Sequence, residues 1–100
     1  VICILNNQFL GMVRQWQSLF YGGRYASTDI SHQPDFVKLA EAYGAYGRRI
    51  KDMKEVDEAL IEALAVRDRP VVLDFWVERE CNVYPMVPPG GSIINMLEEE

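Results

Sequence analysis

The residues with most to say about chemistry are Asn6 and Asn7, which follow directly on the apolar run Val1-Ile2-Cys3-Ile4-Leu5. An unbroken apolar run rich in β-branched types reads as a strand buried on both faces, the pattern of a central parallel strand. In open α/β sheets, ligands bind just beyond the carboxyl ends of such strands. Two asparagines there put neutral, hard side-chain oxygens where a magnesium ion bridging phosphate oxygens can be held. Magnesium seldom takes an all-protein cage, so an amide oxygen, a carboxylate, a backbone carbonyl and phosphate oxygens make a sensible shell. Taken alone, an Asn-Asn pair after a strand is also a turn signal.

The other chemically able residues are less pointed. Met12, Trp16, Leu19 and Phe20 recur at helical spacing, a stripe that serves a core as readily as a site. His32 is a lone histidine in a polar stretch and is expected at the surface. Asp74 interrupts an apolar run with no partner at useful spacing and reads as a strand-end polar residue. Arg14, Arg24, Arg48 and Arg49 read as solvent-facing or interface charges, since nothing singles one out to hold a substrate carboxylate. There is no Gly-rich phosphate loop, zinc-ligand spacing or nucleophile elbow.

These residues need elements to position them. After the first strand and the stripe, the stretch from Gly22 to Gln33 is glycine-containing and polar, a loop. Pro34 suits the first turn of a helix, with Phe36, Leu39, Ala40 and Tyr43 on one face and Gly44 as the stop. Tyr46 to Ile50 is a short strand candidate. Asp52 and Glu55 form a capping box ahead of a helix from about Met53 to Ala65, with Val56, Leu60, Ile61 and Leu64 as its apolar stripe. Arg69-Pro70 punctuates, and Val71 to Val77 reads as another strand. Alternating strands and helices imply right-handed crossovers and a parallel sheet in a single α/β domain.

One hundred residues allow a core that buries roughly 60 to 70 per cent of the unfolded surface. A net charge of −5 with scattered basic residues argues against nucleic acid. Cys3, expected to be buried, and Cys81 give neither a disulfide framework nor metal spacing, which fits a reducing cytosol. No apolar run has the length to span a bilayer, and Val1 to Leu5 is too short for a signal peptide. The triplet Glu98-Glu99-Glu100 reads as a solvated terminus. With no initiating methionine, the chain is expected to be a piece of something longer.

Beyond these physical signals lies a resemblance. Asn6-Asn7 resembles the closing pair of the thiamine diphosphate motif, whose opening Gly-Asp-Gly and metal-binding aspartate are absent here. The continuation Gly11-Met12-Val13, Gln15-Trp16-Gln17, Phe20-Tyr21, Arg24-Tyr25 and Pro34 to Gly44, with Asn82 to Gly90, is similar to the catalytic subunit of acetohydroxyacid synthase, or acetolactate synthase. The resemblance covers essentially the whole chain. It implies the C-terminal part of a thiamine diphosphate-binding domain over residues 1–100, a parallel-sheet, three-layer α/β fold. By the same resemblance Asn7 and the Phe9 carbonyl are metal ligands, and Gln8, Leu10, Gly11 and Met12 line the diphosphate end. Met12, Val13 and Trp16 flank a channel for substrate and inhibitor, covered by a lid at Pro85 to Gly91 that includes Pro89.

The implied reaction joins a hydroxyethyl unit from pyruvate to a second 2-keto acid, in branched-chain amino acid biosynthesis. Thiamine diphosphate and Mg2+ are the implied cofactors, with FAD on a domain outside this segment. The implied assembly is a cytoplasmic homodimer or tetramer with a regulatory small subunit, neither nucleic acid nor membrane being a partner. This chain by itself is expected to be inactive. A related carboligase or oxidase, and a non-catalytic α/β interaction module, are the alternatives.

Overall fold

The computed structural model describes residues 1–98. Three parallel strands form its sheet: β1 (Ile2–Asn6), β2 (Tyr46–Ile50) and β3 (Val71–Trp76), in the order β1-β3-β2. Three α-helices connect or flank them: α1 (Gly11–Phe20), α2 (Phe36–Ala42) and α3 (Val56–Ala65). The expected order of strands and helices is therefore present, including the short strand β2.

The sheet separates two unlike faces. Ile50, Val71 and Leu73 point to α3, where Ala59 and Ala63 close the core, and Tyr46, Val56, Val66 and Phe75 pack around it. On the other face Gly47 lies so close to α2 that an added Cβ would sit 3.0–3.1 Å from Val37, including its backbone. Helix, sheet and helix thus make three layers, as expected.

Several sequence readings need correction. β1 is an edge strand, with Ile2 58% and Leu5 74% exposed, and Cys3 is exposed as well. An apolar run looks alike in a central strand and in an edge strand whose faces are left open. In α3 the buried residues are Ala59 and Ala63, whereas Leu60, Ile61 and Leu64 of the expected stripe are exposed. The helix lies close enough to the sheet for alanines to fill the contact.

Pro34 falls before α2, because the Asp35 side chain accepts from the Val37 and Lys38 backbone N–H groups at 3.0 and 3.2 Å and starts the helix after itself. Of the expected face of α2 only Ala40 is fully buried, and Leu39 and Tyr43 are exposed. Gly44 does end the helix, at a φ of 76° that suits glycine. The Asp52–Glu55 capping box is formed, although the first turn, Met53–Glu55, is a 3-10 turn leading into α3. Glu98 is exposed, and Glu99 and Glu100 lie outside the described residues. No helix among the described residues is long and apolar enough to cross a membrane.

Candidate functional site

The carboxyl end of β1 runs into α1 through a turn built by the asparagines themselves. The Asn6 side-chain oxygen accepts from the Gln8 backbone N–H at 3.1 Å, and the Asn7 oxygen accepts from the Phe9 backbone N–H at 3.1 Å. These successive side-chain turns support Gln8 at a φ of 60°, a conformation that most residues avoid. The turn reading of the pair is therefore correct, and it leaves the ligand reading intact, because a carbonyl oxygen has a second lone pair. Outside the turn, Leu10 N–H donates to the Thr28 carbonyl at 2.9 Å and Ile30 N–H to the Gln8 carbonyl at 3.0 Å, bracing the loop.

α1 begins with no side-chain cap and no acidic residue in its first turn. Its leading N–H groups and the positive end of its dipole suit an anion. Gly11 opens the helix against Asn7, whose Nδ2 would lie 3.0 Å from any Cβ added there. Asn7, Gln8, Phe9, Leu10, Gly11 and Met12 are thus brought together around one helix start. The donor set fits a diphosphate with a magnesium ion: backbone N–H groups for phosphate oxygens, and the half-buried Asn7 amide oxygen and Phe9 carbonyl for the metal. Among the described residues no cluster of three or more His, Cys, Asp or Glu side chains is placed to hold a metal.

Of the helical stripe of α1, Met12 and Trp16 face outward with their neighbour Val13, and Leu19 and Phe20 are half-buried. Met12, Val13 and Trp16 are 50%, 52% and 39% exposed, and with Gln17, Tyr21 and Arg24 they line a cleft of about 790 Å³. Trp16 is braced edge-on by Phe20, with ring centroids 5.9 Å apart and planes at 88°. Pro89 is exposed and is not among the cleft residues.

The buried side of α1 is polar, which sequence reasoning missed. Gln15 is 1% exposed; its amide donates to the Val83 carbonyl at 2.9 Å and the Met86 sulfur at 3.2 Å, and accepts from Val83 N–H at 2.8 Å. Arg14 is buried rather than solvent-facing, between the rings of Phe9 and Tyr25 at 5.1 and 4.8 Å, and pairs with Glu80 at 3.3 Å. The segment after β3 is therefore fastened to α1.

Asp74 also departs from expectation. It is 1% exposed and fully partnered, by Asn6 Nδ2 at 2.9 Å, Arg49 Nε at 3.0 Å and Trp76 Nε1 at 3.1 Å. The carboxylates of Asp74 and Asp35 push the Arg49 guanidinium further up from its ordinary range. The backbone N–H of Lys38, then Arg49, hold the Asp35 carboxyl below its usual value. Arg48, on the α3 face, pairs with Glu58 and Glu62, so neither arginine is a free surface charge. Arg24 and His32 are exposed, as expected. The one signal for Asp74 was the acidic break in an apolar strand, since a buried carboxylate needs partners.

Residues 1–75 match the family described as thiamine pyrophosphate enzyme, C-terminal TPP binding domain. This chain belongs to that family. The similarity to individual proteins extends further along it. The chain is 48% identical over 98 residues to a probable acetolactate synthase large subunit of Methanococcus aeolicus, covering 98% of this chain and 16% of that protein. It is 50% identical over 95 residues to an acetolactate synthase of Mycobacterium bovis, covering 91% of this chain and 15% of that one. It is 44% identical over 97 residues to an acetolactate synthase large subunit of Haemophilus influenzae, covering 97% of this chain and 17% of the relative. The TPP-binding segment thus spans between 15% and 17% of the length of these relatives.

Proposed function

We propose that this segment serves an acetolactate synthase, a transferase that condenses a hydroxyethyl unit from pyruvate with a second 2-keto acid in branched-chain amino acid biosynthesis. The activity is assigned to a polypeptide of the relatives' length that carries this segment, not to these 100 residues alone. The observation that carries the reading is the Asn7–Gly11 arrangement at the uncapped start of α1, in a chain about half identical to proteins of that name. Thiamine diphosphate, when bound, supplies the carbon nucleophile and electron sink that 2-keto acid decarboxylation requires.

The chain's own residues hold and aim. The Asn7 side-chain oxygen and the Phe9 carbonyl would ligate Mg2+, and Gln8, Leu10, Gly11 and Met12 would cradle the diphosphate. Met12, Val13 and Trp16 would limit the size of the second keto acid at the cleft, the flat indole also offering a stacking face to inhibitors. Pro89 would reach that channel as part of a lid, an assignment supported by resemblance alone. FAD would bind outside this segment, and an activating glutamate would come from a partner subunit. A cytoplasmic homodimer or tetramer with a regulatory small subunit completes the proposal.

The test is Asn7→Ala in the full-length polypeptide. Removing one ligand from a shell with few protein contributors is expected to weaken Mg2+ binding and, with it, cofactor binding, read by titration of tryptophan fluorescence. Unchanged Mg2+ and thiamine diphosphate affinities would mean that the site lies elsewhere.

A further inference from the structure

The α2 side of the sheet carries a set of polar groups that cofactor contact does not account for. Asp74 sits in the central strand, where an apolar residue would serve the core as well, yet it is a buried carboxylate with three donors. Arg49 bridges it to Asp35, at 2.7 Å, which caps α2. The Trp76 indole donates to the same carboxylate and lies beneath two cations, Arg49 at 5.1 Å and Lys51 at 4.1 Å. The network ends on Asn6, whose amide nitrogen donates to Asp74 and whose oxygen accepts from Gln8 N–H and, at 2.7 Å, from Gln33 Nε2.

That end point gives the charge a task. A side-chain amide has two orientations that differ little in shape, and an adjacent carboxylate tolerates only the one that presents N–H to it. With its nitrogen fixed on Asp74, Asn6 must aim its oxygen at Gln8 N–H, the bond that supports the left-handed turn before Asn7. We infer that Asp74 is a positioning residue: through Asn6 it sets the turn that presents Asn7 and the first turn of α1 to the diphosphate and its metal. Arg49 compensates the buried charge, and Gln33 also donates to the Asn6 oxygen. This inference rests on the proposed function.

The test uses the full-length polypeptide, saturated with thiamine diphosphate and titrated with Mg2+, binding being read by tryptophan fluorescence on the folded protein. Direct partners of metal ligands typically affect metal affinity by about 10- to 100-fold, and Asp74→Asn, which acts one residue further out through Asn6, is expected to raise the Mg2+ midpoint by about 10-fold, the lower end of that range. Asp74→Glu, which keeps the charge, should recover part of the loss. If Asp74→Asn does not fold, Gln33→Ala decides: it removes a half-buried donor from the same Asn6 oxygen and should raise the midpoint in the same direction, by less.

Folded variants that lose thermal stability but keep the wild-type midpoint overturn the inference, leaving a purely structural network. When Asn7→Ala in the same assay weakens Mg2+ binding and Asp74→Asn does not, the inference falls and the proposed function stands. A wild-type protein that binds neither Mg2+ nor thiamine diphosphate overturns both.

Discussion

At the scale of the residue, Trp16 separates a core from a channel. A buried tryptophan truncated to alanine usually costs about 3–5 kcal/mol, and one cut to leucine still costs a large part of that. Trp16 is 39% exposed at the rim of the cleft, so Trp16→Leu should leave the melting temperature of the full-length protein nearly unchanged. Under the proposed function, preference between second keto acids should shift instead, because the steric limit shrinks. A large drop in melting temperature with unaltered keto-acid preference would return Trp16 to the core. Asp29 gives a second residue-level expectation. The Ser31 hydroxyl and backbone N–H, helped by Arg79, lower its carboxyl from 3.8 to about 2. A depressed carboxylate stabilises the fold fully above its unfolded value, and that contribution disappears as pH falls through about 2. NMR titration of the Asp29 carboxyl should find the lowered midpoint; an ordinary 3.8 would remove the claim.

At the scale of the element, the close approach of α2 to β2 depends on Gly47. A methyl group there meets the Val37 carbonyl oxygen at 3.0 Å and its Cα at 3.1 Å, backbone atoms that cannot rotate away. Gly47→Ala is therefore expected to destabilise by about 1–3 kcal/mol, measured by denaturant unfolding, even though alanine is ordinarily harmless in a strand. The capping box before α3 calls for a smaller effect in the same assay. Asp52→Ala removes the acceptor for Lys54 N–H at 2.9 Å and should cost about 1 kcal/mol. Equal stability of Gly47→Ala and the parent chain would show that α2 moves aside freely.

At the scale of the whole molecule, the stretch after β3 is joined to α1 by few but specific bonds. Gln15 supplies both a donor and an acceptor to the backbone of Val83, and a hydrocarbon side chain of similar length can supply neither. Gln15→Leu should release this stretch, so that limited proteolysis cuts between residues 79 and 92 much sooner than in the parent protein, while the strands survive. Cleavage at the parent rate would show that the ion pairs of Arg14 with Glu80 and Arg79 with Asp29 suffice.

The sequence by itself determined the elements and the turn on which the candidate site is built. Strand runs, a capping box and a glycine stop are local signals, governed by backbone sterics and hydrogen bonds within a few residues, so β2, the capping box and the stop at Gly44 are all legible. The Asn6-Asn7 pair is legible for the same reason, since its turn is made by its own side chains. Burial and long-range pairing were not legible. Whether Ile2 and Leu5 are covered depends on what lies beside an edge strand, and whether Leu60 or Ala59 meets the sheet depends on how α3 is set down on it. The partners of Asp74 stand 25 and 68 residues away for Arg49 and Asn6, and Gln15 stands 68 residues from Val83. Only the parallel register of β1 and β2 against β3 brings the groups around Asp74 onto one face, because hydrogen bonding between side chains depends on distance in space and carries no trace in local spacing.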